Sequence, residues 1–365
     1  MSKYKVNIFN VRETEKTLKN PFEPEKNPEM GKILREGLES MGWKNIVKTD
    51  TTIVIKINGC HYRYLPGLVT TPALVGHLVS ILKERAKEVI VGESDLQRIS
   101  ADVVLKDVGY KKIVEKAGGK VVNFSKDEMV EVKINGEVWE ERKMPKTLVD
   151  CDAFFTVPVL KTHKLWKVSL ALKNQFGCVP ESDRLKYQRI LPLVVSDFNK
   201  FLKPKIVIVD GIIGLEGDGP IAGIPKKTGL MIFSDNVVAA DTVSSLIMGF
   251  KPAECEMIKN AYERGLGPIA LEDIEVISGN LKDAITTFIP PSNDIISCLE
   301  RRVRKHPKLS NLIYRSALFN AAKKTAWWIR GVSGYKSKYM SDVEKTGIWK
   351  NYDYKHLLTT YIPIA

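Results

Sequence analysis

The sequence predicts an α/β protein built on a mostly parallel sheet with helices on both faces, plus a β-hairpin insertion and a basic C-terminal extension. Short β-branched and aromatic runs, at residues 52–57, 153–157 and 205–209, alternate with longer segments whose apolar residues recur at helical spacing. Those runs are apolar nearly throughout, the pattern of parallel strands covered on both faces. The hairpin is signalled by Asn135-Gly136 between two alternating segments.

Taken in order, residues 5–11 alternate polar and apolar and form the first strand, and the charged, Pro-containing residues 13–28 form a loop. Met30, Ile33, Leu34, Leu38 and Met41 line one face of a helix, and residues 52–57 form a buried strand. A long connection carrying Cys60, His61, Tyr62, Arg63 and Tyr64 leads to a helix that begins at Pro72, with Thr71 as its cap, and ends near Arg85. A strand over 88–91 ends in Gly92-Glu93-Ser94-Asp95, a helix covers 101–117, and a strand follows at 120–124. After the hairpin and the strand at 153–157, residues 185–201 read as a helix interrupted near Pro192. The strand at 205–209 ends in Asp210-Gly211 and opens a Gly-rich loop to Pro225. Residues 228–234, 237–248, 255–264 and 273–278 complete the pattern as strand, helix, helix and strand, the first of those helices starting at Asp235 or Asn236.

The chain has 365 residues, of which 44% are hydrophobic, enough for one large α/β domain with an extension. The expected division is a core over residues 1–279 and an extension over 280–365. No apolar run reaches the length of a membrane span, and the N-terminus lacks the apolar region of a signal peptide, so a cytoplasmic protein is expected. The five cysteines, Cys60, Cys151, Cys178, Cys255 and Cys298, are not spaced for zinc or an iron–sulfur cluster. No Walker loop, nucleophile elbow or zinc-protease helix is present, which sets aside common ATPase, hydrolase and metalloprotease classes.

Candidate chemistry gathers at expected strand ends, where open α/β sheets bind ligands. Asn58 with His61, Glu93 with Asp95, Lys161 with His163, Asp210, and Asp235 occupy five such ends. Lys161, Thr162 and His163 arrive together just after Pro158, where a charge is poorly explained by packing. His163 is the candidate proton carrier, since an imidazole titrates nearest neutral pH, and Lys161 the candidate anion holder or base. Substitution of either by Ala is expected to remove function while sparing the fold. Lys173 stands in the apolar run VSLALKNQFG, where a lysine either pairs with a carboxylate beneath the site or meets a ligand, and Asn174 beside it can donate and accept at once. The Gly-rich stretch carries Asp210, Glu216 and Asp218, carboxylates that suit substrate hydroxyls, a hard cation or capping of the loop's own amides. Its formal match to a dinucleotide fingerprint fails, because Pro220 and Pro225 break any following helix. Cys60-His61 with His163 has the residue types of a soft-metal site but no ligand spacing.

Several of these pieces together resemble the DUF362 family, whose function is unassigned. The resemblance rests on Lys161-Thr162-His163, Ala171-Leu172-Lys173-Asn174 and Phe176-Gly177. It extends to Val54-Ile55-Lys56-Ile57-Asn58, Pro66-Gly67 with Thr70-Thr71-Pro72, Val91-Gly92-Glu93-Ser94, Asp210-Gly211 and Glu216-Gly217-Asp218-Gly219-Pro220. These occur in the family's order across about residues 50 to 280, with a departure at Ile57, where the family usually carries Pro. The resemblance implies a distant similarity to lactate-racemase-like folds. The candidate residues themselves point to an enzyme acting on a small anionic substrate by acid/base chemistry, isomerisation or proton abstraction next to a carboxylate, which would agree with that similarity. His163 and Lys161 would be catalytic, and Asn58, Glu93, Ser94, Thr162, Lys173, Asn174, Asp210 and Glu216 would bind substrate. A redox-linked role beside iron–sulfur proteins is the alternative that the resemblance implies, although the ferredoxin-type module of some members has no counterpart here. A non-catalytic binding or docking protein is the rival from another class.

The net charge of +13 is concentrated at the end of the chain: residues 301–365 hold 14 Lys and Arg against Asp342, Glu344 and Asp353, a net +11. The same stretch is rich in Trp and Tyr, and residues 309–330, with Trp327 and Trp328, read as a helix. Such a makeup suits a helix that packs its Trp face on the core, or one that docks on an anionic membrane surface. No recognised nucleic-acid module accompanies the charge, so a nucleic-acid partner is not expected.

Overall fold

The computed structural model describes residues 3–293 apart from 98 and 183, and residues 298–299, 302–303, 306, 335–355 and 357. The helix expected over 309–330, with Trp327 and Trp328, lies outside the described residues. The strands are β1 (Tyr4–Asn10), β2 (Thr52–Ile57), β3 (Glu88–Glu93), β4 (Lys120–Asn123), β5 (Met129–Lys133), β6 (Glu141–Pro145), β7 (Ala153–Val157), β8 (Val159–His163), β9 (Lys167–Ser169), β10 (Ile206–Asp218), β11 (Ala222–Ser234) and β12 (Ile274–Ser278).

The main sheet runs β12-β1-β11-β10-β7-β2-β3-β4, and β8 and β9 branch from the far half of β10. Five neighbours, β10, β7, β2, β3 and β4, are parallel, as are β1 and β12, whereas β11 is antiparallel to both β1 and β10. From β2 the chain builds outward through β3 to β4, and then returns to place β7 on the other side of β2. The carboxyl ends of β2 and β7 therefore form the topological switch point, where such sheets open a crevice.

Strand periodicity divides the core into two layers. Ile53, Ile55 and Ile57 of β2 face one layer and Val54 the other, and in β10 Ile206 and Ile208 are opposed to Val207 and Val209. Helices Pro28–Ser40 and Pro72–Lys83 cover the first face, and Leu191–Leu202, Val237–Ile247 and Glu256–Glu263 cover the second. The described end of the chain belongs to the first layer as well. Tyr339, Val343 and Trp349 are buried there, and Trp349 Nε1 donates to Pro66 O at 2.9 Å.

Several local expectations need correction. The segment read as a Gly-rich loop to Pro225 is a two-stranded ribbon, with β10 and β11 each 13 residues long. Its glycines answer close packing: a Cβ on Gly214 would lie 2.7 Å from the Phe288 ring and 3.0 Å from Leu160 O. Residues 13–28 hold a short helix, Thr14–Lys19, and a 3₁₀ turn, Pro24–Lys26. The helix over 101–117 is two, Ala101–Asp107 and Tyr110–Lys116, divided at Gly109, whose φ of +89° stops a helix. The break near Pro192 falls just before it, so that Pro192 sits in the first turn of helix Leu191–Leu202 after a 3₁₀ segment, Leu185–Ile190. The hairpin forms as β5 and β6, but Asn135-Gly136 only begins a longer loop, in which Gly136 N bonds Trp139 O at 2.9 Å.

Candidate functional site

The innermost part of the switch point is a buried ion pair. Lys56, near the end of β2, reaches Glu93 at the end of β3, with Nζ to Oε2 at 2.7 Å and side chains only 1% and 3% exposed. Glu93 is satisfied on both oxygens: Oε2 also accepts from Gly59 N at 2.9 Å, and Oε1 accepts from Ser94 N at 3.0 Å. Gly177 closes over the pair so tightly that a Cβ there would lie 2.5 Å from both Glu93 Oε1 and Lys56 Nζ. A side chain at 177 would displace the pair.

Asn174 joins the two strands of the switch point. Its amide donates to Lys56 O at 3.2 Å on β2 and to Thr156 Oγ1 at 2.9 Å on β7, and its Oδ1 accepts from Asn58 Nδ2 at 3.2 Å. Asn58 in turn receives Lys161 Nζ on Oδ1 at 2.6 Å. Lys161 also reaches Leu68 O at 2.9 Å and Cys60 Sγ at 3.3 Å. Three acceptors match the three N–H bonds of an ammonium, so the geometry holds Lys161 charged although burial lowers its pKa. The expectation that Lys161→Ala spares the fold needs correction: the side chain is 1% exposed, and its loss strands these acceptors.

Lys173 behaves differently. It lies in the short helix Ala171–Asn174, half-buried, and among the described residues it makes no hydrogen bond or ion pair. Burial lowers its pKa to about 8, and the charges of Lys161, Arg184 and Lys56 push the same way. Arg184 spends donors on backbone carbonyls, Asp95 O at 2.6 Å and Glu181 O at 3.2 Å. Ser94, fully buried, has a hydroxyl without a hydrogen-bond partner among the described residues.

The segment bearing Lys173 is hung from Asp241, inside helix Val237–Ile247. Asp241 Oδ1 accepts from Ala171 N at 2.8 Å and Oδ2 from Leu172 N at 3.0 Å. Burial raises its pKa from 3.8 to about 7 against the opposing pull of these two amides. The native state then holds this proton more tightly than the unfolded chain does. The contribution of Asp241 to stability is fully present below pH 3.8 and is lost as pH rises toward about 7. Urea unfolding across that window should show this slope in the native protein and its loss in Asp241→Asn. Parallel curves for the two proteins would refute the assignment.

Other expected site residues stand apart. Asp210 accepts from Thr71 N at 2.8 Å and Ile212 N at 3.3 Å, so it holds the residue that precedes helix Pro72–Lys83, and the Thr71 side chain does not give the capping bond that was expected of it. Glu216 binds Lys226 Nζ and Ile289 N, both at 2.9 Å, and Asp218 accepts from Ser292 N at 2.7 Å. Thr162 Oγ1 donates to Gly217 O at 2.7 Å, on the face of β8 opposite Lys161. These groups brace the β10–β11 ribbon. Asp95 caps helix Ala101–Asp107, with Oδ1 accepting from Ala101 N at 2.7 Å. Asp235 lies at the opposite end of the sheet, because β11 runs antiparallel and Ser234 pairs with Val207 at the start of β10.

His163 shares the Lys161 face of β8, is 5% exposed, and accepts Leu165 N on Nδ1 at 3.1 Å. The His61 ring accepts Arg63 N at 3.0 Å. Among the described residues no group of three His, Cys, Asp or Glu is placed to hold a metal ion. A surface cavity of about 830 Å³ between Phe22, Pro24, Gly76, Ile113 and Lys116 carries none of the switch-point residues. Sequence reading missed Lys56 and Asp241 as parts of this site. The available signal was a lone charge inside a buried strand and inside an apolar helix.

Comparison with known proteins follows the same geography. Over 250 residues the chain is 27% identical to a protein of Synechocystis sp. described as thylakoid-associated, covering 66% of this chain and 76% of that one. Residues 53–245 match the family model described as a domain of unknown function, DUF362. The match begins in β2 and ends in helix Val237–Ile247, and so encloses the ion pair, Asn174, Lys161, Lys173 and Asp241. The chain belongs to the DUF362 family.

Proposed function

We propose that the carboxyl end of β2, β3 and β7 binds a small carboxylate- or phosphate-bearing substrate and carries out acid/base chemistry on it, of the isomerase or racemase kind. One observation carries this reading: Lys173 is a half-buried cation beside Lys161, Lys56 and Arg184, and has no anionic partner among the described residues. The carboxylate that would neutralise the cluster, Glu93, is already held by Lys56 and two backbone amides. A desolvated excess of positive charge is costly until an anion arrives. In this reading Lys173 and Arg184 hold the anion. Lys161 supplies a fixed charge, Asn58, Asn174 and Ser94 orient the substrate, and His163 moves the proton.

Titration with phosphate and with small carboxylates tests it. An anion present at about a hundred times its Kd stabilises by about 2.7 kcal/mol, a shift of several degrees in Tm. Lys173→Met should lose that response and should be as stable as the native protein, or more so, without anion, because Met fills the space without the charge. An unchanged anion response in the variant would sink the reading.

A second reading concerns the C-terminal extension. The Synechocystis relative is described as thylakoid-associated, and residues 301–365 of this chain carry a net +11. No helix among the described residues is long and apolar enough to cross a membrane, so any attachment through them would be peripheral. Each basic residue near an anionic bilayer contributes on the order of 1 kcal/mol. Removing the extension would also remove Trp349 from the core, so charge is the better variable. The native chain should sediment with anionic liposomes at low salt. A chain with Arg301, Arg302, Arg304, Lys305 and Lys308 changed to Gln should not, and equal sedimentation would retire this reading.

A further inference from the structure

We infer that Ile285 and Ile289 are the apolar contact of this chain with an anionic bilayer, entering the interfacial layer while the basic residues that follow meet the lipid headgroups. The inference rests on the reading of residues 301–365 as a peripheral attachment, and it names the side chains that leave water. Single exposed apolar side chains are common on any protein surface. Here the three most exposed large hydrophobics among the described residues, Leu299 at 60%, Ile289 at 50% and Ile285 at 48%, fall in one stretch. That stretch leads directly into Arg301, Arg302, Arg304, Lys305 and Lys308.

The backbone explains why the isoleucines point outward and stay there. Thr286 N donates to Ile247 O at 2.9 Å and Phe288 N to Met248 O at 2.8 Å, and Phe288 is buried against Gly214. Ile285, Thr287, Ile289 and Pro290 are exposed. Alternation along this segment puts both isoleucines on its outer side, about 13 Å apart. Ile289 N then donates to Glu216 Oε2 at 2.9 Å, and Ile289 O accepts from Gly217 N at 2.8 Å. The segment is thus pinned to the end of helix Val237–Ile247 and to β10. Insertion orders no loop, and that is an entropic cost which weakens binding by mobile segments.

The charges around the isoleucines permit approach to an anionic surface. Glu216 is paired with Lys226 and Glu254 with Lys167, Asp218 is held by Ser292, and Asp283 lies beside Lys282. The carboxylates are therefore offset, and the basic run beyond Leu299, with Arg302 exposed, supplies the attraction. Apolar burial together with that attraction is what holds a protein at a membrane interface.

The test is sedimentation of the full-length protein with vesicles of phosphatidylcholine and phosphatidylglycerol, at low and at raised salt. Salt screens the headgroup attraction and leaves apolar burial in place. Ile285→Gln with Ile289→Gln should keep the native Tm, because both side chains are exposed, and should weaken binding by on the order of tenfold or more. The loss should persist at raised salt. Ile285→Trp with Ile289→Trp should tighten binding, since Trp favours the interfacial layer. Native binding by the Gln pair at both salt levels would overturn the insertion and leave the charge-based attachment standing. No vesicle binding by the native chain would remove both. Equal binding to vesicles of phosphatidylcholine alone would overturn the anionic surface as the partner. A native dimer that the Gln pair disperses would assign the isoleucines to a second copy of the chain instead.

Discussion

Glu93→Ala is expected to destabilise the protein by about 3–5 kcal/mol, because it leaves a charge buried without its partner. Lys56 is 1% exposed and, among the described residues, would retain only Ile57 O, at 2.5 Å, as an acceptor. The same substitution strands Gly59 N, which donates to Glu93 at 2.9 Å, whereas Ser94 N keeps Gly177 O at 3.2 Å. Each buried donor left unsatisfied costs about 1–3 kcal/mol, so the loss should sit at the upper end of the range. The double variant Lys56→Met with Glu93→Leu removes both charges while roughly keeping volume, and should recover much of the loss. Urea denaturation of the two single variants and the double variant reads the coupling. Strictly additive losses would show that the two side chains do not act as a pair. The pair also fixes the ends of β2 and β3 relative to Gly177. Its removal should therefore blunt the response to phosphate even in molecules that remain folded.

How much of this was legible in the sequence depends on what sets each feature. The parallel sheet was readable because both-face burial writes itself as uninterrupted apolar runs, as in Phe154-Phe155-Thr156-Val157. Lys161 and Asn174 were readable because a charge and an amide inside apolar surroundings demand partners, and the structure supplies them in Asn58, Leu68, Lys56 and Thr156. The β10–β11 ribbon was not readable, since Gly and Pro punctuate it as they would a loop. Gly214 is explained only by the approach of Leu160 and Phe288, and Gly217 by its φ of +74°. Asp210 and Glu216 were misplaced for the same reason. A carboxylate beside glycines looks the same in sequence whether it faces a ligand or accepts a backbone amide 139 residues away, as Asp210 does from Thr71. Asp241 was hidden by its helix. Its acceptors are aimed at amides 70 and 69 residues away, and no local spacing marks that.

Trp349→Ala should cost about 3–5 kcal/mol, the usual range for deleting a large aromatic side chain from a packed interior. Trp349 is fully buried, and its indole N–H is bonded to Pro66 O at 2.9 Å, in the connection that carries Cys60 and Leu68 toward Lys161. Tyr339 donates to Gly223 O at 3.1 Å on β11, and Arg63 forms an ion pair with Asp353. Residues 335–355 thus close over the loop that supplies two of the three acceptors of Lys161. Two consequences should be measured together. Chemical denaturation should remain a single cooperative transition that is shifted down, since Trp349 belongs to the same hydrophobic layer as Ile55 and Leu215. Phosphate affinity should also fall, because loosening of residues 60–68 loosens Lys161. A variant with native stability would mean that residues 335–357 are a dispensable cover. Lost stability with unchanged phosphate affinity would separate the closing segment from the site it overlies.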